Sequence, residues 1–180
     1  MKKTSLFLAL ALSTGVLFAQ KKTTTSAVVT FDATTSKDDL PKAENKTAIA
    51  AIDTKTGTVA FEVAIKNFSF SNPMIQDHFN TAGWMDSEKY PTAIFKGKVT
   101  DPSAINFEKD GTYEAGVEGD LTIRGVTKPV KTTASVKIDG KKISSKSVFK
   151  IKLEDYNISG SAVAAGKVST EPTITVLADF

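Results

Sequence analysis

The chain has 180 residues, with 23 Lys and Arg, 20 Asp and Glu, one histidine and no cysteine. This length corresponds to about one domain. The absence of cysteine excludes a disulfide framework, a thiolate zinc site and a thiol nucleophile, and the single histidine, His78, excludes a multi-histidine metal site within one chain. Residues 1–19 hold two of the basic side chains, so the remainder carries a net charge of only +1. That balance gives no electrostatic reason to expect nucleic acid as a partner.

Residues 1–19 have the composition of a cleavable export signal. Two lysines precede an apolar run from Leu6 to Ala19, which is too short to span a bilayer comfortably as a helix. We expect cleavage after Ala19, so that the mature domain comprises residues 20–180 and is exported, either periplasmic or secreted. A retained membrane anchor is the alternative interpretation of this run. No later stretch approaches the length of a membrane-spanning helix, and no stable membrane span is predicted.

From residue 27 onward the dominant hydrophobic period is two, which is typical of strands with one buried face. For example, Val59, Phe61 and Val63 alternate with smaller or charged neighbours. Asp139-Gly140 lies between two such runs and predicts a tight hairpin. The fold class is therefore all-β, with an antiparallel sheet that closes into a barrel or forms a sandwich, since both arrangements hide the sheet edges. Eight strands are predicted, at 27–34, 46–52, 58–66, 92–100, 112–123, 127–138, 142–153 and 172–179.

One short helix interrupts the strands. Asn72 followed by Pro73 is typical of a helix N-terminus, and the pattern predicts a helix over 73–80. The polar span 36–46 is predicted to be a long loop or an irregular edge. The apolar face of the helix is predicted to comprise Met74, Ile75, His78 and Phe79.

No motif for catalysis or cofactor binding is present. The sequence contains no Gly-x-Ser-x-Gly nucleophile turn, no phosphate-binding loop and no dinucleotide fingerprint. His78 is interpreted first as a structural residue that closes one end of the core, because its acidic neighbours Asp77, Asp86 and Glu88 form no metal-ligand spacing with it. We therefore expect no catalytic residue, no metal and no cofactor. The lysines that alternate along the strands are interpreted as a solvated outer face.

Large apolar side chains are concentrated between residues 61 and 95. A sheet closed from about eight strands is just wide enough to be packed solid or to hold one ligand. These side chains can therefore fill a core or line a cavity, and composition leaves both alternatives open. Methionines and aromatic residues beside the helix favour an adaptable cover over an opening. The set comprises Phe61, Val63, Ile65, Phe68, Phe70, Met74, Ile75, Phe79, Trp84, Met85 and Phe95.

Two segments resemble the polyisoprenoid-binding, YceI-like family. The first contains Met74, His78 and the run Tyr-Pro-Thr-Ala-Ile-Phe at 90–95. The second is the run Gly-Asp-Leu-Thr-Ile-Arg-Gly-Val-Thr-Lys-Pro-Val at 119–130, in which Arg124 stands where the family often has histidine. Weaker similarity covers nearly the whole mature chain.

The resemblance implies a lipocalin-like antiparallel eight-stranded β-barrel, with the short helix at one opening and an elongated apolar cavity. The resemblance also implies an extracytoplasmic bacterial protein whose cavity accepts an isoprenoid chain. Our leading hypothesis is therefore a carrier or scavenger of a polyisoprenoid or quinone-type lipid, without catalysis, and a homodimer is the partner considered besides the lipid. The alternatives are a stress-response or interaction module with a solid-packed barrel that acts through its surface, and, least favoured, a hydrolase that uses His78. The predicted ligand-binding residues are Phe61, Val63, Ile65, Phe68, Phe70, Met74, Ile75, His78, Phe79, Trp84, Met85, Phe95, Leu121, Phe149 and Ile151.

Overall fold

Eight long strands and one two-residue strand form the sheet. The structure is a computed structural model that describes residues 21–180, so the predicted export signal and its cleavage site lie outside the described residues. Two α-helices, α1 (Pro73–Asn80) and α2 (Ser161–Ala164), and three 3-10 turns (Ile65–Asn67, Pro102–Ala104 and Leu153–Tyr156) lie between strands. The strands are β1 (Lys21–Asp32), β2 (Lys42–Asp53), β3 (Thr58–Ala64), β4 (Ser69–Phe70), β5 (Thr92–Val99), β6 (Gly111–Ile123), β7 (Val126–Asp139), β8 (Lys142–Lys150) and β9 (Thr173–Asp179).

The eight long strands close into a barrel. Each pairs antiparallel with the next long strand along the chain, and β9 pairs with β1, where Val29 lies opposite Val176. The short β4 lies outside this ring and pairs only with the start of β2, with Ala43 opposite Phe70. The predicted lipocalin-like eight-stranded barrel is therefore confirmed, and closure removes the unpaired edges that an open sheet would expose.

Tertiary pairing extends two strands beyond their predicted bounds. β1 begins at Lys21 because its polar first half pairs with the end of β2, with Lys21 opposite Asp53 and Thr24 opposite Ala50. β2 begins at Lys42, inside the span predicted as a loop. Backbone hydrogen bonds to a neighbouring strand need no hydrophobic alternation, so these polar segments carried no local strand signal.

Two tight turns between long strands, one of them the predicted Asp139-Gly140 hairpin, contain residues with positive φ. Arg124 and Gly125, which join β6 to β7, both have positive φ, at 50° and 72°. This is the pattern of the tight two-residue turns that join antiparallel strands. Gly140, which joins β7 to β8, also has positive φ, at 59°.

The loops fall at two ends of the barrel. The end that we call the α1 end carries the segments 33–41, 65–91 and 151–172, and the opposite end, which we call the terminal end, carries 54–57 and 100–110. Buried apolar residues form two separate clusters. The upper cluster includes Phe31, Phe68, Phe79, Met85, Leu121, Leu153 and Tyr156, and the lower cluster comprises Val99, Ile105, Ala115, Ala134, Val136, Ile138 and Ile143. The barrel interior is therefore not one continuous packed core.

The helix α1 has the predicted bounds but presents a different face to the barrel. Its first turn is capped by Asn72, whose side chain accepts a hydrogen bond from the Met74 N–H at 2.9 Å. Phe79 is buried, whereas Met74 is 71% exposed and His78 is also exposed. The expectation that Met74 and His78 face the core is wrong. No helix in residues 21–180 has the length and hydropathy needed to cross a membrane.

Candidate functional site

An apolar cavity lies inside the barrel and is lined by residues of both hydrophobic clusters. Its volume is about 170 Å³. At the α1 end it is lined by Trp84, Met85 and Leu153, and at the terminal end by Val99 and Ile105. The cavity therefore extends along most of the barrel interior, which explains why the two clusters remain separate.

Several inward-facing strand residues are only half-buried. Phe61, Val63, Phe95 and Phe149 all line the cavity, yet none of them reaches full burial. Their strands are paired on both sides, so the exposed part of each side chain faces the cavity. These side chains supply apolar surface that no other side chain covers. Burial of such surface by an apolar ligand is favourable by about 25 cal/mol of free energy per Å².

Most of the predicted ligand-binding residues line this cavity. They are Phe61, Val63, Ile65, Phe68, Phe79, Trp84, Met85, Phe95, Leu121, Phe149 and Ile151. Their position is a geometric result, and their contact with a ligand stays a prediction.

Four predicted residues lie elsewhere: Phe70, Met74, Ile75 and His78 are not part of the cavity lining. Phe70 and Ile75 pack with the upper cluster, whereas Met74 and His78 are exposed. The reason is that α1 packs through Ile75, Gln76 and Phe79, and Gln76 accepts a hydrogen bond from the Phe70 N–H at 3.3 Å. Because the polar Gln76 lies on the packed face of α1, that face is shifted by about one residue from the apolar face that the sequence predicted.

An aromatic cluster fastens α1 to the barrel. The ring of Phe79 lies 4.9 Å from that of Phe70, 5.7 Å from that of Phe68 and 5.8 Å from that of Phe31, measured between centroids. Tilted and edge-on contacts at such distances are the favoured aromatic geometries. Phe79 therefore connects the helix to β1, to β4 and to the turn before β4.

Other lining residues were not among the predicted site residues. They include Val29 and Phe31 on β1, Val130 on β7, and Ile174 and Val176 on β9. All occupy inward positions of strands, so the same alternation that predicts the strands also marks them. They lie far from the apolar region at 61–95, and only closure of the barrel brings the two regions together.

Three hydroxyl side chains on β7 and β8 also line the cavity: Thr132, Ser145 and Ser147. The Ser147 hydroxyl donates to the Thr133 carbonyl at 2.9 Å and lies 3.0 Å from the Thr132 hydroxyl, while the Ser145 hydroxyl donates to the Ala178 carbonyl at 3.4 Å. Because these polar groups are hydrogen-bonded within the barrel wall, the surface offered to a ligand is almost entirely hydrocarbon.

Arg124 joins the two segments that cover the α1 end. Its guanidinium donates to the Asn157 carbonyl at 2.6 Å and to the Ala82 carbonyl at 3.0 Å. One of these segments contributes Trp84 to the cavity lining, and the other contributes Ile158. A side chain from the β6–β7 turn thus holds both parts of the cover in place.

Tyr156 is the residue in this region with a strongly shifted ionisation. It belongs to the upper cluster, with 2% of its surface exposed. Burial, with a smaller contribution from the charge of Asp155, raises the pKa of Tyr156 to about 12. Its phenol therefore remains neutral at physiological pH. Within residues 21–180 no group of three histidine, aspartate or glutamate side chains is placed to hold a metal ion.

The fold and cavity define the chain as a closed antiparallel β-barrel that surrounds an apolar interior. Residues 14–180 match the YceI-like domain, and the chain belongs to that family. Protein YceI of Escherichia coli O157:H7 is 36% identical over 87 residues, which cover 45% of this chain and 41% of that protein. A UPF0312 protein of Photorhabdus laumondii is 28% identical over 133 residues, covering 71% of this chain and 59% of the relative. The chain therefore matches about two fifths of the length of the first relative.

Solved structures of other bacterial proteins share the fold. BcnA of Burkholderia cenocepacia superposes with a TM-score of 0.72 and 20% identity, covering 86% of this chain and 96% of that chain. A polyisoprenoid binding domain from Saccharophagus degradans, described as implicated in plant cell wall breakdown, superposes with a TM-score of 0.74 and 15% identity, covering 89% and 97%. At these identities the likeness concerns the fold.

Proposed function

We propose that this protein binds one long apolar lipid, of the polyisoprenoid or quinone type, inside its barrel and acts as a carrier or scavenger without catalysis. The observation that carries this proposal is the apolar cavity along the barrel interior, which residues of both hydrophobic clusters line. A solid-packed barrel that acted only through its surface would have no need of such a cavity. Membership of the YceI-like family and the shared fold of the polyisoprenoid binding domain from Saccharophagus degradans support the same ligand class.

Binding a long chain requires the cavity to enlarge. Its volume of about 170 Å³ is smaller than the roughly 300–1,000 Å³ of pockets that bury drug-sized ligands. We expect the half-buried aromatic side chains, such as Phe61 and Phe149, to change rotamer as a chain enters. We also expect entry at the α1 end, because Trp84 and Met85 lie there on a loop, whereas the walls are fixed by continuous strand pairing.

The proposed location is outside the cytoplasm. It rests on the signal-like composition of residues 1–19 and predicts that the exported protein begins near Gln20. Cell fractionation combined with the intact mass of the exported protein tests this point. A cytoplasmic protein that retains residues 1–19 would contradict it.

Native mass spectrometry of protein purified from its own host tests the binding function directly. We expect a mass larger than that of the protein alone. Extraction with organic solvent should then recover the bound molecule as a lipid. A matched pair of variants then places that lipid in the barrel. Ala134 is buried and lines the cavity, whereas Thr133, the preceding residue on β7, is exposed on the outer face.

Ala134→Phe is expected to weaken binding of a fluorescent polyene fatty acid, cis-parinaric acid, by about 5- to 150-fold. An added ring inside the closed barrel occupies space that the incoming chain needs, at a cost of roughly 1–3 kcal/mol. Thr133→Phe is expected to leave binding unchanged. Melting curves establish that both variants are folded. Repeatedly empty spectra, together with equal binding by folded Ala134→Phe and by the wild type, would refute an internal site and favour the surface module.

A further inference from the structure

Two glycines lie opposite each other in the barrel wall. Gly97 on β5 pairs with Gly119 on β6, and the flanking pair Phe95 and Leu121 lines the cavity. Neither glycine has positive φ, so the backbone conformation does not require glycine at these positions. The reason for a glycine pair at this level is therefore space.

The ring of Phe95 occupies that space. A Cβ atom added to Gly97 would lie 2.6 Å from Cζ and 2.8 Å from Cε1 of Phe95, and one added to Gly119 would lie 2.8 Å from the same Cζ. The tip of the ring therefore rests over both glycines. The added atoms would also lie 2.4 Å from the carbonyl oxygens of Glu118 and Lys96, so the two backbones approach too closely here for a side chain at either position. We call this hollow the Gly97–Gly119 recess.

Because the recess accommodates the tip of the Phe95 ring, the ring lies against the barrel wall and does not cross the cavity. Phe95 is half-buried, with its ring tip on the glycines and its remaining surface towards the cavity. One inward position further along each strand lie Val99 and Val117, which belong to or pack against the lower cluster. Phe95 thus stands at the level where the cavity passes from the upper to the lower cluster.

We propose that Phe95, seated in the Gly97–Gly119 recess, sets the width of the cavity at this level and restricts the ligand to slim, flexible chains. This inference rests on the proposed function and deepens it, because it selects the flexible prenyl tail of such a lipid over a rigid fused-ring lipid. Its physical basis is the absence of side chains under the ring. When a large side chain is truncated, neighbouring side chains relax partly into the gap, but glycines have no side chain to contribute.

Phe61 provides the matched control. It is the cross-strand neighbour of Phe95, is also half-buried and also lines the cavity. On its own strand it is flanked at the inward positions by Val59 and Val63, which can fill part of a gap. Truncating Phe61 should therefore widen the cavity less than truncating Phe95.

The test is displacement of cis-parinaric acid by geranylgeraniol, a slim prenol, and by cholesterol, a rigid fused-ring lipid, from the wild type, Phe95→Ala and Phe61→Ala. We expect Phe95→Ala to improve the affinity for cholesterol relative to geranylgeraniol by about tenfold, the order that one missing hydrophobic contact contributes to discrimination. Phe61→Ala also removes a lining contact, so it is expected to weaken binding of both lipids by a similar factor and to leave their ratio close to the wild-type value. If Phe95→Ala does not melt cooperatively, Phe95→Leu replaces it, with a smaller change in the same direction expected.

An unchanged ratio in the folded Phe95 variant, or an equal change in Phe61→Ala, would overturn this inference while the proposed function stands. A wild-type protein that binds neither cis-parinaric acid nor geranylgeraniol would refute the proposed function, and this inference with it.

Discussion

Replacing Trp84 by alanine separates a role in ligand binding from a role in the core. Trp84 lines the cavity at the α1 end but is only half-buried, and it lies on a loop whose backbone is held by a hydrogen bond from the Trp84 N–H to the Thr81 carbonyl at 3.0 Å. Truncation removes the indole and leaves that hydrogen bond in place. The main loss therefore falls on the bound ligand.

We expect Trp84→Ala to weaken binding by about 1–3 kcal/mol, the usual loss for a buried aromatic contact at an interface. This corresponds to a dissociation constant about five to one hundred times larger. The melting temperature should fall by only a few degrees, since about 1 kcal/mol shifts it by roughly 2–4 °C in a chain of this size.

The assay is a titration with cis-parinaric acid, analysed per folded molecule, with melting curves of the same preparations. Trp84 would be an ordinary core residue, and the reasoning wrong, if Trp84→Ala unfolded the protein while the binding constant of the folded fraction stayed unchanged.

Three further predictions concern stability. Phe79→Ala should destabilise the fold by about 3–5 kcal/mol, because the ring is 5% exposed and contacts three other aromatic rings; urea unfolding measures this, and a loss below that of Trp84→Ala would contradict it. Partial burial opposes ionisation of Asp32, but hydrogen bonds from Thr34 and the charge of a nearby lysine outweigh it and lower the pKa of Asp32 below 3.8. Stability from the ionised Asp32 is thus present above about pH 4 and lost as the pH falls through the lowered pKa, so Asp32→Asn should be less stable than the wild type at pH 7, and the difference should shrink steadily below pH 4. Because the pKa of Tyr156 is raised to about 12, the unfolded state ionises first on alkalinisation, and the wild type should lose stability between about pH 10 and 12. Tyr156→Phe should lack that part of the loss, and identical alkaline unfolding of the two proteins would show that Tyr156 does not contribute it.

The local sequence by itself predicted the eight long strands and α1. A period of two marked the inward positions of the strands, and the sequence Asn72-Pro73 marked the start of α1, because both signals arise from neighbouring residues on one element. The two glycine-containing turns were equally local, since their positive φ values require glycine or a tolerant residue next to it. The family resemblance added closure of the barrel, which the pattern alone left open between a barrel and a sandwich.

Only the tertiary structure decided how the elements meet. Pairing of β1 with both β2 and β9 closed the ring and made a strand of the polar residues 21–26, although those residues have no alternation of their own. Packing of α1 through Gln76 turned Met74 and His78 to solvent, against the apparent apolar face. The position of the Phe95 ring over Gly97 and Gly119 likewise depends on two strands held in one register. In each case the deciding contact joins residues on different elements of the chain. The hydrophobic period of a single segment carries no information about such contacts, so it could not predict them.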